Sequence, residues 1–432
     1  MYPQLSPHAQ AIYKKLTAFV DEECMPAEKV FEEQHAALSS RWMVPAVVET
    51  LKAKAKRLGL WNLFMMEEHV HHSGLKMTEY AVMSEVMGRS FLAPEACNCN
   101  APDTGNMEVL AKYGNAAQQA RWLTPLMAGT IRSTFLMTEP AVASSDATNI
   151  CTNFCREGDE YVVNGRKWWS SGAMDPRCQV ALVMGKVEGA ATNAARRHQQ
   201  HSILIVPMDT PGLKVLRPLT VFGFDDAPHG HAEVELVNVR VPVSNLVLGE
   251  GDGFKIAQGR LGPGRIHHCM RAIGLSERVL ALAIKRAMTR KAFGQELARQ
   301  GTVQRDLAQC RMELDQARLL VLHAAWRMDT NGGAKGAQQE IAMIKVVAPN
   351  MGQRVVDTAI QIHGGMGVCQ DTILARAFAY MRSLRIADGP DVVHSRTVAR
   401  HELKRMIDGK TQLSADAWYR STHGVTSVNS RL

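Results

Sequence analysis

Two apolar stripes toward the C-terminal end constrain this chain more than any other feature. Leu307, Cys310, Leu314, Ala317, Val321, Ala324 and Met328 recur at alternating steps of three and four residues, the spacing that gathers side chains on one face of a helix. Ile341, Ile344, Ala348, Met351, Val355, Ala359 and Ile362 keep nearly the same rhythm. Between them Asn331-Gly332-Gly333 ends the first helix. Two long antiparallel helices joined by a tight turn need further helices to cover their apolar faces, so a bundle is expected. Pro349 falls inside the second stripe, where a kink is expected.

The period changes upstream. Tyr161-Val-Val-Asn-Gly-Arg-Lys-Trp-Trp169 carries β-rich arms on both sides of Asn164-Gly165, which predicts a hairpin turning at that pair. Residues 180–187, 202–208 and 232–241 read as further strands, with 188–201 an exposed loop. In the last strand Val234, Leu236, Val239 and Val241 are apolar, so the alternation slips once, as at a bulge. Residues before about 130 are helical in pattern. The expected fold is therefore α+β and multi-domain: an N-terminal helical domain (1–131), a middle β barrel or sandwich (132–246), a C-terminal four-helix bundle (247–409) and a polar tail (410–432).

Composition then narrows the function. Hydrophobic residues make up 46% and charged ones 21%, as in a globular protein with a large core. No apolar run is long enough to span a bilayer. The start lacks the apolar core of a secretory signal, and Asp21, Glu22 and Glu23 argue against a transit peptide. Nine scattered cysteines without a C-x-x-C pair suggest reduced thiols inside the cell. Glu67-Glu68-His69-Val70-His71-His72 places adjacent histidines on different faces, so no metal is expected there. The net charge of +8 suits an anionic ligand or nucleic acid, and Lys52, Lys54, Lys56 and Arg57 form a basic helix face expected to be solvated. Ser430-Arg431-Leu432 resembles the peroxisomal C-terminal address; mitochondrion and cytoplasm are the alternatives.

Four motifs fall on the junctions of this α–β–α plan: Met137-Thr-Glu-Pro-Ala-Val-Ala-Ser-Ser-Asp146; Lys167-Trp-Trp-Ser-Ser171; Arg290-Lys-Ala-Phe-Gly294, with Leu261-Gly-Pro-Gly-Arg265 upstream; and Ile360-Gln-Ile-His-Gly-Gly-Met-Gly367 with Leu384-Arg-Ile-Ala-Asp-Gly-Pro-Asp-Val-Val-His394. In this order they resemble the acyl-CoA dehydrogenase family of flavoenzymes across roughly residues 5–408. The variants Trp-Trp-Ser-Ser and Ala-Asp-Gly-Pro-Asp resemble the branch that animals carry fused behind an aminoglycoside-phosphotransferase-like domain.

The resemblance implies FAD as cofactor, acyl-CoA as substrate, electron-transfer flavoprotein as acceptor and a homo-oligomer built as a dimer of dimers. It implies that Met137, Thr138 and Ser145 lie along the flavin, with Ser145 also near the acyl-CoA. The extra residue in this variant of the motif leaves Ser145's partner open, and Ser144, Ser145 or Asp146 as a turn cap is the alternative. Trp169, Ser170 and Ser171 resemble the segment packed on the ring, with a hydroxyl donor near N5. Adjacent strand residues point to opposite faces, so Trp168 is expected to be packing.

Arg290 resembles the arginine on the FAD pyrophosphate of a neighbouring subunit, and Gln361, Gly364 and Gly365 the segment beneath that same cofactor. Pro390, Asp391 and Val392 extend the cofactor contacts. Pro263, Arg265 and Gly389 resemble substrate-side residues, a structural salt bridge being the rival role for Arg265; His267 and His268 are expected at the surface. Asp388 occupies the position of the catalytic glutamate, and Gly264 stands where some relatives carry the base instead.

Asp388 is thus expected to take the Cα proton while hydride leaves Cβ, in fatty-acid β-oxidation or related acyl-CoA breakdown. Burial is expected to raise its pKa. An acyl-CoA oxidase and a flavin-containing nucleic-acid binder of the same fold are the rivals.

Overall fold

A computed structural model describes residues 4–66, 72–189 and 198–408. The first third is helical: α1 (Pro7–Phe19), α2 (Met25–Ala37), α3 (Ala46–Leu58), α4 (Met77–Gly88), the short α5 (Ala93–Ala96), α6 (Asp103–Tyr113) and the short α7 (Ala116–Gln118) and α8 (Thr124–Ala128). Seven strands follow, β1 (Arg132–Leu136), β2 (Asn153–Glu157), β3 (Glu160–Ser171), β4 (Cys178–Val187), β5 (His201–Pro207), β6 (Leu213–Leu219) and β7 (His231–Pro242). They form one mixed sheet in the order β1-β4-β2-β3-β7-β6, with β5 on the other side of β4. The chain closes with α9 (Gly253–Thr289), a small hairpin β8 (Lys291–Ala292) and β9 (Gln295–Glu296), then α10 (Gly301–Thr330), α11 (Gln338–His363), α12 (Leu374–Leu384) and α13 (Asp391–Ile407).

Strand periodicity divides the core. Val180, Leu182 and Met184 of β4 pack with the N-terminal helices, while Ala181 and Val183 face a separate cluster with Val234, Leu236 and Val239 of β7. A strand buried on both faces must be apolar throughout, which is why 180–184 shows no alternation. The third cluster joins α4 to α9, α10, α11 and α12, and it contains both apolar stripes. Gly332 and Gly333 between them have φ of +75° and +70°, the left-handed turn that a side chain disfavours. Pro349 sits within an unbroken α11.

The Asn164-Gly165 hairpin does not form. The chain turns instead at Gly158 and Asp159, and β3 runs straight through the pair. Opposite it β7 carries the expected bulge: Val163 pairs with Val239 but Gly165 with Leu236. Asn238 at the bulge has φ of +51°, and its N–H donates to Asn164 Oδ1 at 2.8 Å. Asn164 therefore caps a bulge, and Gly165 is needed because a Cβ there would lie 2.3 Å from Thr152 Oγ1.

The basic face of α3 is solvated at Lys56 and Arg57, but its lysines also hold the protein together. Lys52 is buried and donates to Glu49 and to the Gly129 carbonyl, Lys54 pairs with Glu23, and Lys56 donates to Ala128 O and lies over the Trp61 ring. All nine cysteines are free thiols. No described helix is long and apolar enough to cross a membrane, and the described residues contain no metal-ligand cluster. The 67–71 part of the histidine-rich stretch, most of 188–201 and the C-terminal tripeptide lie outside the described residues.

Candidate active site

A cleft of about 2330 Å³ opens where the sheet, α9, the α10–α11 turn and the 384–390 turn converge. It exceeds the several hundred Å³ of an ordinary small-molecule site and has room for two extended ligands. Met137, Thr138, Ser145, Trp169, Ser171, Pro263, Arg265, Asp388, Gly389 and Pro390 all line it.

The floor is set by one buried ion pair. Lys167, with no solvent exposure, donates to Glu139 Oε1 at 2.9 Å and to the carbonyls of Met137 at 3.0 Å and Met184 at 2.7 Å. Glu139 also accepts from the backbone N–H groups of Cys151 and Thr152, both at 2.8 Å. Burial lowers the Lys167 pKa to about 8 against the pull of Glu139. The pair fastens the 137–146 segment to β2, β3 and β4. Ser144 accepts from the Glu139 N–H and Asp146 caps the following turn, so these two are the caps, whereas Ser145 faces the cleft.

Both indoles reach the cleft, against the alternation rule. Trp169 has φ of +52°, and β3 slips register between Lys167 and Ser170. This bulge turns Trp168 and Trp169 to the same wall and sends Ser170 into the protein. Ser171 Oγ lies 2.9 Å from His231 Nδ1, and His231 Nε2 is 3.1 Å from Asp226 Oδ2. In the neutral ring the carboxylate takes Nε2–H and Nδ1 accepts the serine proton. The hydroxyl expected as a donor into the cleft is thus engaged by His231, a cleft residue that sequence reading passed over. Its chief signal is the alternation of β7 extended back to position 231.

Asp388 also lines the cleft, with φ of +56°, a left-handed conformation costing a non-glycine residue roughly 1–2 kcal/mol. Gly389 follows at φ of +105°, where a Cβ would approach His394 Nε2 to 2.5 Å. The turn is held by its carbonyls. Lys345, 1% exposed on α11, donates to Leu384 O at 2.6 Å and Ala387 O at 2.7 Å. Arg265 Nε and His394 Nε2 both lie 3.1 Å from Asp388 O. Arg265 therefore grips the loop and does not pair with a carboxylate. Among the described residues the Asp388 N–H meets no acceptor.

The Asp388 side chain is 25% exposed, and its Oδ2 lies 3.5 Å from His268 Nε2. Burial raises its pKa, but the His268 ring beside it and the Lys345, Arg260 and Arg265 cations more than reverse this and hold the carboxyl below its ordinary value. The expected upward shift is not observed, because cations from α9 and α11 converge on the turn. The two histidines are not surface residues either. His267 is 1% exposed against the Tyr80 ring, and His268 meets Asp388. Their signal was present, since both sit within the apolar α9 run of Ile266, Met270 and Ile273.

The remaining candidates lie outside this cleft. Asp391 accepts from Arg385 and Asn350 at the start of α13, and Val392 faces solvent. Arg290 ends α9 beside the fully exposed Phe293, and Gln361, Gly364 and Gly365 are exposed at the end of α11.

The walls fit a flat heteroaromatic cofactor. Trp169 is 40% exposed, and the buried Trp168 Nε1–H has no acceptor among the described residues. An unpartnered buried donor at a wall is costly unless a ligand atom receives it.

Three segments match the domains of one family: residues 6–130 the N-terminal, 134–239 the middle and 251–403 the C-terminal domain of acyl-CoA dehydrogenase. FadE2 of Mycobacterium tuberculosis, a candidate acyl-CoA dehydrogenase, is 53% identical over 90% of this chain and 94% of its own. This chain belongs to the acyl-CoA dehydrogenase family. It is also 53% identical to mouse acyl-CoA dehydrogenase family member 10 and 51% to chicken member 11, covering 37% and 52% of those proteins. The chain thus spans between a third and a half of such relatives. A Mycobacterium abscessus structure described as a candidate acyl-CoA dehydrogenase superposes with a TM-score of 0.89 at 48% identity over 94% of this chain and 100% of that one. Butyryl-CoA dehydrogenase from Megasphaera elsdenii gives 0.78 at 25% identity over 93% and 100%.

Proposed function

We propose that this chain is an FAD-dependent oxidoreductase that introduces a trans-2 double bond into an acyl-CoA, with Asp388 as the base. One observation carries the reading: a carboxylate set by a strained turn on the wall of a large cleft that the two indoles also line. The fold alone would not suffice, since folds host many activities. Asp388 removes the Cα proton of the thioester as hydride leaves Cβ. FAD, when bound, would supply the acceptor for that hydride. Met137, Thr138, Ser145, Trp168, Trp169 and Ser171 would hold it. Arg290, Gln361, Gly364 and Gly365 would meet the cofactor of a neighbouring copy in a dimer of dimers.

The low pKa of Asp388 means that it is ionised before substrate arrives. Such a carboxylate is a weak base toward a thioester Cα–H, so the drive must come from the thioester oxygen. The Asp388 N–H, without an acceptor among the described residues, would donate there, a contribution of about 3 kcal/mol for a preorganised donor.

We further infer that the chain belongs with family members 10 and 11, supported by the identities of 53% and 51%, that electron-transfer flavoprotein accepts its electrons, and that Ser430-Arg431-Leu432 directs it to the peroxisome. The burial of Lys52 and the ion pair of Lys54 with Glu23 weaken that face as a nucleic-acid site. The test is oxygen-free titration of the purified holoprotein with butyryl-, octanoyl- and palmitoyl-CoA. Bleaching of the flavin band with trans-2-enoyl product supports the reading, and intact absorbance with all three contradicts it. Rapid peroxide release in air would make it an oxidase.

A further inference from the structure

We propose that His268 is the positioning residue of Asp388: a neutral imidazole, locked by Arg271 as the Nε2–H tautomer, that donates to Oδ2 and leaves Oδ1 for the substrate proton. The proposal rests on Asp388 being the base. Its geometry begins on α9, where His268 and Arg271 stand three residues apart on neighbouring positions of the helix surface. Arg271 Nη2 lies 3.4 Å from His268 Nδ1. A guanidinium can only donate, so Nδ1 accepts and the single ring proton is left on Nε2. That nitrogen is the one aimed at Asp388, 3.5 Å from Oδ2. The separation is long, as is common where a catalytic contact tightens only around substrate.

Arg271 is itself fixed. Its Nη1 donates to Cys99 O at 3.2 Å, and it is 6% exposed. Its backbone is pressed against α4: a Cβ on Gly88 would come within 2.3 Å of Arg271 O, and one on Gly274 within 1.9 Å of Glu85 O. The α4–α9 crossing thus sets the arginine, the arginine sets the tautomer, and the tautomer sets the carboxylate. His267 cannot serve in its place, because its ring is buried against Tyr80 with centroids 4.7 Å apart.

The surroundings keep the ring neutral. Arg271, Arg260 and Arg265 face the pair from α9 and Lys345 from α11, with Cys269 and Tyr380 nearby, and Asp388 is the one anion facing it among the described residues. Burial, reinforced by Arg271, pushes His268 well below the ordinary imidazole range, toward the neutral form. An imidazolium beside Asp388 would form an ion pair and blunt the base. A neutral N–H fixes the carboxylate without surrendering a proton to it. When Oδ1 takes the Cα proton, the same N–H keeps Oδ2 an acceptor, so the carboxylic acid is held in one orientation until product leaves.

Two variants separate this from a packing role. His268→Gln retains an N–H near the ε position, and His268→Leu retains only bulk. For His268→Leu the expected result is a fall in kcat of about 10–100-fold, the range seen when a group that orients another loses its hydrogen bond. KM should stay within about twofold, the acid limb of kcat/KM should rise toward the ordinary carboxylate value, and His268→Gln should recover most of the loss. Equal losses in both variants, or an unmoved acid limb, overturn the proposal.

A readout independent of turnover is ¹⁵N-histidine NMR of the holoprotein. The ring signal that disappears in His268→Gln should report a neutral Nε2–H tautomer down to about pH 5. An imidazolium or an Nδ1–H tautomer at pH 6 overturns the proposal whatever the activity. If the tautomer is as described but no acyl-CoA is dehydrogenated, the positioning role falls with the base reading.

Discussion

Replacing Lys345 by methionine tests how the Asp388 turn is held. The Lys345 ammonium donates to Leu384 O and Ala387 O at 2.6 and 2.7 Å and is 1% exposed. Charge-assisted bonds of this kind contribute about 1.5–3 kcal/mol each. Desolvation offsets part of that, as the lowering of the Lys345 pKa by burial shows, and methionine fills nearly the same volume. What remains is two buried carbonyls without donors, a net loss of roughly 2–4 kcal/mol. In a folding unit of 150–250 residues this lowers Tm by about 4–16 °C, measurable by calorimetry of the holoprotein.

The same substitution removes one of the cations that depress the Asp388 pKa. A depressed carboxyl is ionised down to a lower pH, so its loss of charge on acidification comes late. Without Lys345 that loss comes earlier, and the acid limb of kcat/KM moves upward. A Tm within about 1 °C of wild type together with an unmoved limb would refute both the staple and the electrostatic argument.

Three further outcomes are expected. Gly389→Ala, with a Cβ 2.5 Å from His394 Nε2 at φ of +105°, should break the His394 contact and lower kcat at least ~10-fold, while the strain costs only about 1–2 kcal/mol; an unchanged kcat would remove the turn geometry from the account. Lys167→Met should cost about 3–5 kcal/mol, because Glu139 remains buried without its cation, and a stable variant with normal cofactor content would contradict that. His394 is lowered to about 4 by burial and by Arg265, so the unfolded chain binds protons first below its ordinary value. Tm should therefore fall between about pH 6.5 and pH 4, and His394→Gln should flatten that slope.

The bundle was legible because helix spacing survives in any context: the stripes of α10 and α11 point inward at the residues named from sequence. The slip at Asn238 was equally legible, since an alternation that shifts by one has few physical causes. Asn164-Gly165 misled because the residues that favour a tight turn also suit a bulge. Trp168 and Trp169 share a wall only because Trp169 adopts a left-handed backbone, which no side-chain pattern announces. The tight turn at Asp388 was readable from the Gly-Pro breakers beside it, but the cations around it were not. Lys345 and Arg265 come from helices distant in sequence, and His268 is recognised only once α9 is seen to pass beneath the loop. One clue existed for Lys345, a lone charge beside Ile344 in an apolar stripe.

The central claim is that Asp388 removes the substrate proton. The most direct measurement is the oxygen-free visible spectrum of wild-type and Asp388→Asn holoprotein mixed with the best acyl-CoA. Wild type should bleach, while Asp388→Asn should keep its flavin, shift its spectrum as ligand binds, and bleach slower by about 10²–10⁴-fold. Bleaching of Asp388→Asn at the wild-type rate would show that another group is the base.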